Sequence, residues 1–142
     1  MPKFSLEKII KAKREIVYEK LSNYENYQEL APQHFPSIRV RSVRGKVSVV
    51  EEHMNLGGQE LVIMAKHITE TPTLHEVFVI GGDAKGSHIR EQFVEIPDGT
   101  KVTVDVDLKL KTKIKMSSLF GKSKFEQDYA KILDDFAKIA ED

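Results

Sequence analysis

Cysteine is absent from the 142 residues. That excludes disulfides and thiolate metal sites and permits a reducing interior. A surplus of either charge is also absent, since Lys and Arg number 22, Asp and Glu number 22, and the formal net charge is zero. A nucleic-acid binder needs a basic excess to displace counterions, so no nucleic-acid partner is expected. The nearest basic run, Lys109, Lys111, Lys113 and Lys115, alternates along a strand end and reads as a solvated face. Long apolar runs are missing as well. None approaches the roughly 20 residues of a membrane helix. The stretch from Met1 to Val17 has neither the apolar segment nor the small-residue cleavage site of a secretion signal. No membrane insertion and a cytoplasmic location are therefore expected.

What is present divides by periodicity. Apolar residues at Phe4, Leu6, Ile9 and Ile10 predict a first strand over Phe4–Ile10. Lys13–Leu21 predicts a short helix with Ile16, Val17 and Leu21 inward, and Ser22 to Glu25 has capping-box spacing for a second, carrying Tyr24, Tyr27 and Leu30 and ended by Pro32. From Pro36 the period becomes two. Strands are predicted from Ile38, over Val47–Leu56, Gln59–Ile68, Leu74–Ile80, Ser87–Ile96 and Lys101–Lys111, separated by glycine- and proline-containing turns. Near the end, Phe125, Tyr129, Ile132, Leu133, Phe136 and Ile139 fall at helical spacing, with a capping box at Ser123 to Glu126 or an earlier start near Ser117. A long helix with so wide an apolar stripe must bury it, and the concave face of a curved sheet is the surface large enough. The reading is a single α+β domain over residues 1–142. A curved antiparallel sheet of about seven strands wraps a long C-terminal helix, and two short helices follow the first strand.

Local sequence agrees with that order. Val17-Tyr-Glu-Lys-Leu21, Tyr24-Glu-Asn-Tyr27, Pro32 and Pro36-Ser-Ile-Arg-Val40 resemble the opening of coenzyme Q-binding and polyketide-cyclase-like members of the START superfamily, whose fold is the helix grip (Bet v 1-like, SRPBCC). The resemblance implies a cavity between sheet and long helix that takes lipids, quinones, polyketides or other apolar metabolites. Some such proteins are enzymes and many are not. The Val43-Arg-Gly-Lys-Val47 turn departs from the Gly-rich loop of the plant hormone-binding branch, and the chain is shorter than full lipid-transfer START domains, which argues against a large sterol.

Hairpin counting gives a candidate site, because a turn fixes which residues face each other. In the last strand Val102, Val104, Val106, Leu108 and Leu110 share the apolar face. A turn centred between Asp98 and Gly99 sets Glu91 opposite Val106, Phe93 opposite Val104, Ile89 opposite Leu108 and Arg90 opposite Asp107. Counting onward sets Phe78 opposite Ile89, Glu76 opposite Glu91, Lys66 opposite Glu76, Met64 opposite Phe78 and Val62 opposite Ile80. The inner wall would then comprise Val62, Met64, Phe78, Ile80, Ile89, Phe93 and the last-strand valines Val102, Val104 and Val106, with Tyr129 across from it on the helix. Lys66, Glu76 and Glu91 would form a charged centre. Buried charges must pair or meet a ligand, and one glutamate in excess of the lysine would hold a ligand group or take a raised pKa. A one-residue slip instead turns the charges outward and puts Leu61, Ile63, Val77 and Val79 inside.

No cofactor is expected. His67 and His75 are the metal candidates. They give pairwise proximity but not the three ligands of a catalytic zinc, and hydrogen bonding to each other or to water is the competing account. His34 can line a cavity mouth from its loop. The loop Gly81–Ser87 lacks the lysine and following helix of a phosphate loop, but as a cavity rim it would offer Asp83 and Lys85 to a ligand head group. No Gly-x-Ser-x-Gly elbow or His-Glu-x-x-His zinc motif is present. Three functions compete. The first is a carrier or binding protein for a small hydrophobic or amphipathic molecule, its head held by Lys66, Glu76 and Glu91. The second is a cyclase, dehydratase or isomerase in which Glu76 or Glu91 is the general base and Lys66 the electrophilic partner. In the third, apolar outer strands make a homodimer or another protein interface.

Overall fold

Seven strands pair in the order β1-β7-β6-β5-β4-β3-β2, each antiparallel to its neighbours, in a computed structural model that describes residues 3–111 and 121–142. The strands are β1 Lys3–Ile10, β2 Ser37–Arg44, β3 Val47–Leu56, β4 Gln59–Glu70, β5 Leu74–Gly82, β6 His88–Ile96 and β7 Gly99–Asp107. Between β1 and β2 lie helix α1 (Arg14–Ser22), a 3₁₀ turn (Tyr24–Asn26) and helix α2 (Tyr27–Leu30); helix α3 (Gly121–Glu141) closes the described chain. This is the α+β helix-grip architecture expected from the periodicities. The capping box foreseen at Ser22 is made differently. The Ser22 hydroxyl donates back to the Tyr18 carbonyl at 2.5 Å, and the Asn23 side chain accepts from the Glu25 amide instead. A start of α3 near Ser117 lies outside the described residues, as does the side chain of Ser123.

Period-two alternation fixes the buried wall. In β7, Val102, Val104 and Val106 are buried, and Val50, Met54 and Leu56 play the same part in β3. The apolar stripe of α3 lies against this wall, with Phe125, Tyr129, Ile132, Leu133, Phe136, Ala137 and Ala140 all buried. The α1 and α2 segments close one side: Tyr18 packs edge-on to Phe93 at 4.9 Å, and Tyr27 meets Phe136 at 5.5 Å. Among the described residues no helix is long and apolar enough to cross a membrane.

The β3–β4 hairpin tip meets α3 at close range. Gly57 has φ +64, its amide donates to Asp128 at 2.7 Å, and a Cβ there would lie 2.2 Å from the Phe125 ring. Only glycine suits both the positive φ and the contact. Gly57→Ala should therefore cost about 1–3 kcal/mol, read by urea denaturation. Gly45→Ala shares a positive φ but meets open space, so the difference between the two reports the docking contact alone.

A second tie joins α3 to the loop before β2. His34 Nε2 lies 2.7 Å from Asp135 Oδ2, and Lys131 Nζ donates to Oδ1 at 2.7 Å. Partial burial pushes the Asp135 carboxyl up, but the hydrogen bonds from Lys131 and His34 outweigh it and hold the group at about 2. A carboxyl depressed in the folded state stabilises above its unfolded value, near 3.9, and loses that contribution as pH falls through the folded value. Asp135→Asn should thus melt below the wild type at neutral pH, and the gap should close as pH falls from about 4 towards 2. His34 is engaged in this clasp rather than free at a cavity mouth.

Candidate functional site

The hairpin count holds for facing in part and fails at one point. Across β6–β7, Glu91 pairs with Val104, Phe93 with Val102, Ile89 with Val106 and Arg90 with Asp105. Each partner is two residues from the expected one, which leaves the faces unchanged. Across β5–β6, His75 pairs with Glu91 and Glu76 with Arg90. This one-residue slip has a visible cause. The Val79 amide donates to the Ser87 carbonyl at 3.0 Å while the Val79 carbonyl accepts from the Gly86 amide at 2.8 Å. Two residues thus oppose one, a bulge, and Gly86 accommodates it with φ +96.

The slip reverses β5 and β4. Leu61, Ile63, Val77 and Val79 are buried inside. Lys66, Glu76, Met64 and Phe78 lie on the outer face, half-buried, beside the exposed Val62 and Ile80. The Lys66 ammonium sits 5.5 Å from the centre of the Phe78 ring, which stacks on His88 at 4.3 Å, and His88 Nε2 is 2.8 Å from Glu76. The structure therefore contradicts a charged centre of Lys66, Glu76 and Glu91 and removes Val62, Met64, Phe78 and Ile80 from the inner wall. Glu91 alone of the three charges faces inward. Phe93, Val104 and Val106 are buried there with it, Ile89 is partly buried against the core, and Tyr129 is buried on α3. The loop 83–87 does not offer a free Asp83, whose Oδ2 accepts from the Val62 amide at 2.9 Å and whose Oδ1 lies 3.8 Å from Lys111.

The same slip brings the histidines inside, where they build a centre that hairpin counting missed. Glu52 on β3, His67 on β4, His75 on β5 and Glu91 on β6 form one hydrogen-bonded row across four adjacent strands. His67 Nε2 lies 2.5 Å from Glu52 Oε2, His67 Nδ1 lies 2.8 Å from His75 Nε2, and His75 Nδ1 lies 2.6 Å from Glu91 Oε1. The two imidazole rings lie nearly coplanar, 15° apart with centroids at 5.1 Å, joined edge to edge by their mutual hydrogen bond. Both histidines are 1% exposed, Glu52 3% and Glu91 7%. Tyr24 covers His67 at 4.8 Å between rings, its hydroxyl donating to Ser48 at 2.5 Å. A signal for Glu52 was readable: it shares strand parity with Val50, Met54 and Leu56, an apolar set in which a carboxylate stands out.

Every ring nitrogen of His67 and His75 is used within this row, which leaves none pointing at a common centre. Among the described residues no group of three or more His, Cys, Asp or Glu side chains is placed to hold a metal ion. The row ends instead on a cavity of about 40 Å³ between α3 and the opening helices, lined by Leu21, Tyr27, Phe35, Glu91, Tyr129, Ile132, Leu133 and Phe136. Burial first, then the negative charge of Glu91 and of Glu52, raises the phenols of Tyr27 and Tyr129 well above the ordinary tyrosine range. Both remain protonated donors. The Tyr27 hydroxyl donates to the Leu21 carbonyl at 2.5 Å. The site is an apolar pocket with a single carboxylate in its wall, supported from behind by imidazole.

Known structures share this architecture. A START superfamily protein from Mycobacterium smegmatis superposes with a TM-score of 0.84 at 17% identity, over 98% of this chain and 97% of the other. The Zhui aromatase/cyclase from Streptomyces sp. R1128 gives 0.79 at 10% identity over 98% and 93%. The di-domain ARO/CYC BexL from the BE-7585A biosynthetic pathway gives 0.76 at 16% identity, and this chain, covered to 99%, spans about half of that one, 50%. At such identities the likeness is one of fold. No curated protein matches the chain. A family model does, over residues 10–137, and by that match the chain belongs to the polyketide cyclase / dehydrase and lipid transport family.

Proposed function

We propose that the chain binds a small amphipathic molecule between the sheet and α3, with Glu91 receiving its polar end and Leu21, Ile132, Leu133 and Phe136 its apolar body. The observation that carries this reading is a buried carboxylate in the wall of an otherwise apolar and aromatic cavity. A buried carboxylate is costly unless partnered, and its backing by His75 leaves it oriented at the edge of that space. Family membership supports the class of ligand, lipid or polyketide-like, without selecting among them. A cavity of about 40 Å³ has room for roughly three waters. Uptake of a larger molecule therefore requires the lining side chains to separate.

A neutral fluorescent amine, N-phenyl-1-naphthylamine, tests the reading, since its ring system is apolar and its N–H can donate to Glu91. Saturable uptake is expected. Leu133→Phe, which fills the cavity, should weaken it about tenfold, or 1.4 kcal/mol, while the protein stays folded by circular dichroism. Equal affinity in the variant and the wild type would place binding elsewhere.

One feature favours a catalytic reading beside it. Glu91 is backed by His75 on its inner side and faces the protonated phenol Tyr129 across the cavity, which is the equipment of a general base with a nearby hydrogen-bond donor. In that case Glu91→Gln should abolish turnover of the bound molecule while the molecule still binds.

A further inference from the structure

The buried row of Glu52, His67, His75 and Glu91 has a proton inventory set by its geometry. It has three hydrogen bonds, and each requires one proton between its two heavy atoms. A carboxylate brings none, a neutral imidazole brings one, and a carboxylic acid or an imidazolium brings one more. Without an imidazolate the three protons give three kinds of arrangement, and every one leaves the row with a net charge of −1. With Glu91 ionised and Glu52 protonated, both imidazoles carry their proton on Nδ1. With Glu52 ionised and Glu91 protonated, both carry it on Nε2. With both carboxylates ionised, the imidazoles together hold the third proton between His67 Nδ1 and His75 Nε2. The first arrangement becomes the second when three protons each cross one hydrogen bond in the same direction. Nothing is gained from solvent or lost to it, and the negative charge moves from one end to the other.

We propose that these four side chains act as one proton-shifting chain that moves the negative charge between Glu91 at the cavity and Glu52 behind it. Glu52 and His67 are positioning residues: neither lines the cavity, yet they decide whether Glu91 meets a ligand as a carboxylate or as a carboxylic acid. The free Glu91 oxygen then accepts from a hydroxyl or amine donor as a carboxylate oxygen in one state and as the weaker carbonyl oxygen of an acid in the other, because the acid proton is engaged with His75 Nδ1. The surroundings favour internal movement. Glu52, His67 and His75 are 3%, 1% and 1% exposed, which keeps bulk solvent off their hydrogen bonds. Among the described residues, the other titratable groups that pack on the row or act on its carboxylates are Tyr24 on the 3₁₀ turn, Tyr27 on α2, Tyr18 on α1 and Tyr129 on α3. The phenols of Tyr18, Tyr27 and Tyr129 are raised and add no competing negative charge. Among the described residues no group of three His, Cys, Asp or Glu side chains is placed to hold a metal ion, in keeping with a row whose ring nitrogens are all engaged.

The inference builds on the proposed cavity site but is tested without a ligand. Protein labelled with ¹⁵N-histidine reports by NMR which ring nitrogen carries the proton. Glutamine in place of one glutamate confines the charge to the opposite end. In Glu52→Gln both imidazoles are expected to be protonated on Nδ1; in Glu91→Gln both are expected on Nε2. The decisive position is His67 in Glu91→Gln, because it does not touch residue 91, and its proton is expected to change nitrogen between the two variants. If His67 keeps the same protonated nitrogen in both, the chain is a static support and the proposal fails. The unsubstituted protein provides a check that depends on neither variant folding. A single proton shared by His67 Nδ1 and His75 Nε2 should couple to both nitrogens across the hydrogen bond, and the absence of that coupling in a folded sample overturns the proposal. A tautomer change without uptake of N-phenyl-1-naphthylamine would leave the chain standing and refute only the binding reading. The reverse result would do the opposite.

Discussion

Replacing His75 with Ala lowers stability by about 3–5 kcal/mol, the range found when one partner of a buried charged pair is removed. His75 is the middle of the row, 2.8 Å from His67 and 2.6 Å from Glu91. Its loss strips a carboxylate that is 7% exposed of its donor and opens a void of imidazole size on β5. The cost should depend on what remains. In His75→Leu combined with Glu91→Met, the stranded carboxylate is gone and the volume is largely kept, while His67 still donates to Glu52. Burial of a satisfied or apolar group is far cheaper than burial of an unpaired charge, so the double variant should recover most of the lost stability. Chemical denaturation of these proteins, with His75→Leu alone beside them, decides this. A double variant no more stable than His75→Leu alone would mean that the charge of Glu91 does not set the cost. The same double variant should lose the cavity carboxylate, and with it the proposed recognition of a polar group.

Phe136→Ala should cost a similar 3–5 kcal/mol through a different mechanism, transfer of a large aromatic ring plus the void it leaves. Phe136 is 3% exposed on α3 and packs edge-on against Tyr27 at 5.5 Å and Phe35 at 6.3 Å. It is thus the point at which α3, α2 and the loop before β2 meet. Because Phe136 also lines the cavity, the variant should be less stable yet more accommodating: the affinity for N-phenyl-1-naphthylamine should hold or rise while the denaturation midpoint falls. Lys138→Ala, on the exposed side of the same helix, should stay within about 0.5 kcal/mol. A loss below that figure at Phe136 would mean that α3 does not rest on the sheet as described.

The contrast between what was legible and what was not has a physical basis. The alternating valines of β7 and the helical stripe from Phe125 to Ile139 each repeat a local period several times, so element type and buried face follow from the sequence. Glu91 could be placed inward for the same reason, because the β6–β7 turn is short and an error of two residues preserves facing. The next connection is different. The bulge at Gly86 and Ser87 adds one residue to one strand only. Nothing in the alternation of Leu74–Ile80 or Ser87–Ile96 marks it, since both faces of β5 carry apolar residues. That single residue exchanged Lys66 and Glu76 for His67 and His75. The sequence did contain a warning in Leu61, Ile63, Val77 and Val79, four apolar residues that a charged centre at Lys66 and Glu76 would have left in solvent. Glu52 could be read by parity with Val50 and Met54, but its role depends on His67, and so on the same register.

A small amphipathic molecule is expected to sit in the cavity at Glu91 and not on the outer face of the sheet. Methyl-labelled protein titrated with N-phenyl-1-naphthylamine reports this by NMR. The Leu21, Ile132 and Leu133 methyls line the cavity at Glu91, whereas Val62 and Ile80 are exposed on the outer face, 39% and 46%. Saturable shifts confined to Leu21, Ile132 and Leu133, and lost in Leu133→Phe, are the predicted result. Shifts that saturate at Val62 and Ile80 while the cavity methyls stay unmoved would contradict it.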